Sequence, residues 1–188
     1  MPGNFSRKFE ERRRANAAVF STNGYDIALS DQSACYRTIR SGRGATLYTV
    51  GYERRDGEEL ISALRDAGVT VLADVRQRAM SRKPDFRGAA LRARCEAAGI
   101  EYRSISDLGS TDNQRDQLRE TGDMRAFSNR FRAYARRHKQ DAIDTLTEGA
   151  KADSVALLCY ERSHEYCHRS VLAELVADAI DATVVAIC

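Results

Sequence analysis

The stretch TLYTVGYERRDGEELISALRDAGVTVLA, residues 46–73, decides the fold. Thr46-Leu-Tyr-Thr-Val50 is a short run rich in β-branched and aromatic residues that Gly51 stops, as a strand would be stopped. From Glu58 to Ala67 the apolar residues Leu60, Ile61 and Leu64 fall at helical spacing, and Gly68 ends the segment, which predicts a helix. Val69-Thr-Val-Leu-Ala73 then predicts a second strand, too continuously apolar to have a face in water. Strand, helix and strand in this rhythm imply parallel pairing through a right-handed crossover.

Downstream the rhythm repeats. Leu91 to Ala98 predicts a helix closed by Gly99, and Ile100 to Ile105 a third strand. A long helical stretch runs from Met124 to Gly149 with a break near His138, and Phe127, Phe131 and Tyr134 share one stripe of it. Ser154 to Cys159 reads as a fourth strand, Ser170 to Ile180 as a helix and Thr183 to Ile187 as a closing strand. The expected architecture over residues 45–188 is a single three-layer α/β domain. Its sheet is mostly parallel with helices on both faces, of the Rossmann-like or flavodoxin-like kind. Residues 1–44 stand outside the rhythm. Phe5 and Phe9 with Arg7, Arg12 and Arg13 predict a basic amphipathic helix, and Ser21 to Gly44, rich in Ser, Gly, Asn and Asp, reads as a loop or arm.

Composition bounds the answer. A chain of 188 residues, 43% of them hydrophobic, supports one core that buries roughly 70% of the unfolded surface. With 7% aromatic residues, two Pro and 30% charged residues it is neither disordered nor collagen-like. No apolar stretch approaches the ~20 residues of a membrane span, and the N-terminal residues lack an apolar signal core. The expectation is a soluble cytoplasmic protein with no membrane partner. Its five scattered Cys are expected as reduced thiols. Of the net charge of +3, all is carried by residues 1–14, where Arg7, Lys8, Arg12, Arg13 and Arg14 face Glu10 and Glu11. The rest balances to zero, so any preference for anions must come from local clusters.

In open parallel sheets ligands bind at the carboxyl ends of the strands. Gly51, Tyr52 and Glu53 follow the first strand; Asp74, Val75 and Arg76, then Ser81, Arg82 and Lys83, follow the second. The third leads to Asp107, Leu108 and Gly109. The fourth leads into Cys159-Tyr-Glu161-Arg-Ser-His-Glu-Tyr-Cys167-His168-Arg169, whose end opens a helix. Free backbone N–H groups of that first turn, with forked guanidinium donors on Arg76, Arg82 and Arg169, suit a phosphate or carboxylate. The competing reading pairs these three arginines with Asp74, Glu53 and Glu161. Glu161 and Asp74 across one crevice also suit a division of acid and stabilising roles in cleaving a glycosidic bond, including the base–sugar bond of a nucleoside. Alternatively, both acids orient arginines.

The thiols admit further readings. The C-x7-C-H spacing of Cys159, Cys167 and His168 matches no usual zinc arrangement, so neither metal nor cofactor is expected. Cys159, ending a buried strand, reads as packing; Cys167, at a helix N-terminus near arginines, is a candidate nucleophile. His164 is expected to face solvent and His138 to be half-buried on the Phe127/Phe131 stripe. On the opposite face Arg125, Arg132, Arg136 and Lys139 form a one-sided basic row that suits either solvent or a nucleic-acid backbone.

At these residues the chain resembles a family. Tyr48-Thr-Val-Gly-Tyr52, Leu72-Ala-Asp74-Val-Arg76, Ser81-Arg82-Lys83-Pro-Asp-Phe86, Gly99-Ile-Glu-Tyr102, Leu108-Gly109, and Leu157-Leu-Cys159-Tyr-Glu161 with Cys167-His168-Arg169 look like the motifs of domain of unknown function 488. The resemblance spans about residues 45–180, with the motifs in order. It implies a small α/β protein with site positions at Gly51, Tyr52, Asp74, Arg76, Ser81, Arg82, Cys159, Glu161, Cys167, His168 and Arg169. It implies no reaction. The segment 1–44 departs from that compact pattern. Three functions follow as expectations. The first is an enzyme acting on a phosphate-bearing substrate, a nucleotide or nucleic acid, with base–sugar cleavage the first reaction to test. The second is a non-enzymatic binding module for nucleotides or nucleic acid, and the third a zinc-stabilised adaptor.

Overall fold

The structure, a computed structural model, describes residues 35–188; the basic helix expected near Phe5 and Phe9 lies outside the described residues. Six strands form one sheet: β1 (Tyr36–Arg40), β2 (Thr46–Gly51), β3 (Val71–Asp74), β4 (Glu101–Ser104), β5 (Val155–Cys159) and β6 (Thr183–Ile187). Six helices join them: α1 (Gly57–Asp66), α2 (Gly88–Ala97), α3 (Asp112–Thr121), α4 (Met124–His138), α5 (Gln140–Ala152) and α6 (His168–Ile180). The spatial order is β1-β6-β2-β5-β3-β4. All neighbours are parallel except β1, which runs antiparallel along β6. The α/β class with a mostly parallel sheet therefore stands as the sequence predicts.

Alternation along the strands feeds two cores. Leu47, Val71, Ala73, Val155, Leu157 and Val184 face one layer, packed against Phe127 and Phe131 of α4, Ile143 and Leu146 of α5, and Leu172 and Val176 of α6. Val50, Leu72, Ala156, Leu158 and Ile187 face the other, against Leu60 and Leu64 of α1 and Leu91 and Cys95 of α2. β5 is buried at every position, as a central parallel strand between two helical layers must be. Helix α1 is held at its start by a capping box between Asp56 and Glu59. The long helical stretch does break beside His138, where Lys139 leaves helical geometry between α4 and α5.

Two expectations are corrected here. Tyr36–Arg40 is an edge strand, although the sequence reads it as part of an arm. Its residues are mostly exposed, so it lacks the apolar alternation that marks a strand, and its partner lies at the far end of the chain. Ion pairs of Arg37 with Glu165 and of Arg40 with Asp178 tie this strand to the domain. The same pairing brings Cys35 and Cys188 together as a disulfide, Cα to Cα 5.0 Å, where five reduced thiols were expected. Spacing cannot reveal a contact between residues 153 positions apart. Cys95, Cys159 and Cys167 are free and buried. No helix among the described residues is long and apolar enough to cross a membrane.

Candidate functional site

The carboxyl ends of β2, β5 and β3 lie side by side, and residues just beyond them line a cavity of about 650 Å³. Main-chain pairing continues past the strands: the Tyr52 N–H donates to the Cys159 carbonyl (3.3 Å) and the Glu53 N–H to the Tyr160 carbonyl (2.8 Å). Gly51 permits this approach, because a Cβ there would stand 1.9 Å from the Glu161 carbonyl oxygen. Tyr52 is buried, stacked on Phe86 with ring centres 4.3 Å apart, and the Arg76 guanidinium lies 5.0 Å from its ring centre. After β5 a 3₁₀ turn, His164–Tyr166, folds the chain back so that Cys167 returns beside Cys159 and starts α6. Three of the four predicted strand ends thus meet at the cavity, while Asp107, Leu108 and Gly109, after β4, are not among its lining residues.

The fold does not give every residue its predicted role. Asp74 is fully buried and outside the cavity lining. Its carboxylate accepts hydrogen bonds from Arg76 Nε (2.8 Å), the Arg76 N–H (3.1 Å), Arg76 Nη2 and the Tyr102 hydroxyl (2.6 Å). The remaining Arg76 Nη1 donates to the Tyr52 hydroxyl (3.0 Å) and the Phe86 carbonyl (2.9 Å). Burial works against the Arg76 charge, but the bonded carboxylate more than offsets this and holds its pKa above the usual range. Burial and the same carboxylate push the Tyr102 hydroxyl up. Asp74 is therefore an arginine-orienting group and not one of two catalytic carboxylates, and Arg76 is largely spent on internal partners. Arg169 is likewise no anion clamp. It is 1% exposed, and its guanidinium ties down the carbonyls of Glu161 and Arg162. Arg82, exposed, and Ser81, whose hydroxyl accepts from the Lys83 N–H, do stand at the cavity.

The cations that face the cavity come partly from an element that sequence reasoning missed. Arg76, Arg78, Arg82, Lys83, Arg115 and Arg119 line it, and among the described residues Glu161 is its one lining carboxyl. Arg115 and Arg119 belong to α3, which buries none of its residues and so shows no apolar periodicity. The available signal was Thr111-Asp-Asn-Gln114, a capping box that the structure forms. Asp112 pairs with Arg78 and Arg115, and Asp116 with Arg119, without entering the lining. Lys83 donates to the carbonyls of Tyr52 (3.3 Å) and Arg55 (2.7 Å), holding the rim loop against the end of β2.

On the cavity floor stand Cys159, Glu161, Cys167 and His168. The Cys159 thiol donates to Glu161 Oε2 (3.4 Å) and lies 3.7 Å from His168 Nδ1; the Cys167 sulfur lies 3.8 Å from the same nitrogen. His168 Nε2 is 2.9 Å from the Val75 carbonyl, which can only accept, so Nε2 carries a hydrogen, and in the neutral ring Nδ1 turns its lone pair toward the thiols. Burial, with help from Cys167, pushes the Glu161 carboxyl up to about 7. Burial and Cys159 push the Cys167 thiol up to about 12. A buried thiol held neutral is a poor nucleophile, so the nucleophile reading of Cys167 is set aside. The three ligand atoms of Cys159, Cys167 and His168 all lie within 4.8 Å of one another, a convergence that the C-x7-C-H spacing hid.

The remaining expectations divide. His164 is buried, not solvent-facing, with Nδ1 2.9 Å from the Thr49 hydroxyl. Burial and the nearby Arg169 push its pKa down to about 4. His138 is exposed, at the end of α4 beside Tyr134. On the basic face of α4, Arg125 and Arg136 are exposed, Arg132 pairs with Glu174 of α6, and Lys139 lies over the Tyr134 ring.

No curated protein and no solved structure matches this chain. One family model does, that of the domain of unknown function DUF488, over residues 56–176. That span holds Asp74 with its arginine, the whole of α3, and the Cys159–Arg169 segment that floors the cavity. It covers well over half of the sequence, and the chain belongs to the DUF488 family.

Proposed function

We propose that the protein is an enzyme that hydrolyses a phosphate-bearing substrate, a nucleotide or nucleic acid, in the cavity at the carboxyl ends of β2, β5 and β3. The observation that carries this reading is the lining itself: among the described residues, six cationic side chains stand around a single carboxyl, Glu161. Arg78, Arg82, Arg115 and Arg119 bind phosphate oxygens, Arg82 most freely because no carboxylate among the described residues is paired with it. Glu161 serves as the proton-transferring group that activates water. Because Asp74 is locked to Arg76, the reaction runs on one carboxyl instead of a pair.

Incubation with nucleosides, nucleotides, DNA and RNA, followed by chromatography, tests this. Released base or a cleaved fragment is expected from the phosphate-bearing members, and Glu161→Gln is expected to remove it while leaving the fold intact. Full turnover by Glu161→Gln overturns the proposal. Salt-dependent binding without chemical change supports instead the binding-module reading, which the exposed Arg125 and Arg136 of α4 favour.

A further inference from the structure

We infer that Cys159, Cys167 and His168 form a zinc site of the three-ligand, open kind, with its fourth position facing the cavity beside Glu161. The inference rests on the cavity being the reaction site only for what the metal does there; the site itself stands on its own geometry. With Zn–S near 2.3 Å and Zn–N near 2.0–2.1 Å, a tetrahedral ion sets sulfur and nitrogen roughly 3.6 Å apart. The two Sγ to Nδ1 separations are 3.7 and 3.8 Å. All three ligand atoms lie within 4.8 Å of one another, against about 3.8 Å between two sulfurs on a tetrahedral zinc, so closing onto an ion asks the sulfurs to approach by at most about 1 Å.

A second observation is independent of those distances. A ligating histidine almost always donates its other ring N–H to a carbonyl or carboxylate, which fixes the tautomer and aims the lone pair. His168 does so through Nε2 to Val75, a residue from another strand end, leaving Nδ1 as the coordinating atom. Two thiolates with an imidazole also form a soft donor set that selects zinc over calcium or magnesium. As each Zn–S bond forms, the thiol loses its proton to solvent.

Glu161 stands next to this set without belonging to it. All three ligands line the cavity, so the open position is reached by water and substrate from that side. A water there would have its proton taken by Glu161. A zinc held by cysteine and histidine, with a non-ligating glutamate two residues beyond one ligand, is how zinc deaminases activate water. Cys159 and Glu161 have that spacing.

The test is elemental analysis of the full chain, purified under reducing conditions without chelator, with cobalt substitution read by absorption. One equivalent of zinc per chain is expected, and the cobalt form should show thiolate charge-transfer bands and the intense visible bands of a tetrahedral ion. Cys167→Ala and His168→Ala should lose the equivalent; Glu161→Gln and Cys95→Ala, the latter a buried thiol outside the cluster, should keep it. Folded wild-type protein that takes up neither zinc nor cobalt overturns the inference, as does full retention by Cys167→Ala. Stoichiometric zinc with no turnover of any phosphate-bearing substrate would overturn the proposed function and leave the site standing. Turnover by metal-free protein would do the reverse.

Discussion

Replacing Asp74 with Asn separates a structural strut from a catalytic acid. Asp74 is 0% exposed and Arg76 6%, and the carboxylate accepts four hydrogen bonds, three of them from Arg76. An amide of the same shape keeps one acceptor oxygen and puts an NH2 against either Arg76 or the Tyr102 hydroxyl. It also leaves the guanidinium charge uncompensated in a site largely shielded from water. Breaking one partner of such a buried pair costs about 3–5 kcal/mol, a large share of the 5–15 kcal/mol that holds a typical domain together. The Asp74→Asn/Arg76→Met double variant should lose less than the sum of the two single losses, because it removes the stranded charge. Urea unfolding followed by circular dichroism measures both, with unchanged m-values as the check that only stability moved. A loss under about 1 kcal/mol for Asp74→Asn, together with abolished turnover, would refute the strut and restore Asp74 as a catalytic acid.

Three further outcomes follow from the same geometry. His164 is buried and its pKa is held down to about 4 from an ordinary 6.5, with Arg169, Glu165 and Arg37 around it. The unfolded chain therefore takes up a proton that the folded one refuses as pH falls from ~6.5 to ~4, at a cost of about 3 kcal/mol in unfolding free energy that His164→Gln should abolish. Gly51→Ala puts a methyl 1.9 Å from the Glu161 carbonyl oxygen, so it should part the ends of β2 and β5 and sharply reduce turnover; wild-type activity in that variant would contradict the packing described. Reducing Cys35–Cys188, which closes 153 positions of chain, should lower stability by about 2–5 kcal/mol, and Cys188→Ser should make the protein insensitive to reductant.

The parallel core was legible because its central strands β2, β3 and β5 are apolar and α1, α4 and α5 carry periodic apolar stripes. What was missed lacks that signature. β1 is an exposed edge whose partner is remote in sequence, and α3 buries nothing, so neither shows the hydrophobic spacing on which strand and helix readings depend. The site was legible as a set of strand ends and illegible as a set of roles. Whether an arginine faces a ligand or a neighbour is decided by rotamer and packing; Arg76 and Arg169 turn inward, while Arg115 and Arg119 reach the cavity from the unseen helix. The gathering of Cys159, Cys167 and His168 depends on the turn at His164–Tyr166, which reverses the chain and brings distant ligand positions together.

Calorimetric titration of the protein with a nucleoside and its monophosphate, at low and at physiological salt, tests the phosphate-binding cavity most directly. The monophosphate should bind more tightly than the nucleoside, weaken as salt rises, and lose about 10- to 100-fold in affinity in Arg82→Ala, as expected for one charge-assisted hydrogen-bonding group. Equal affinity for the two ligands, or an unaltered constant in Arg82→Ala, would contradict the account.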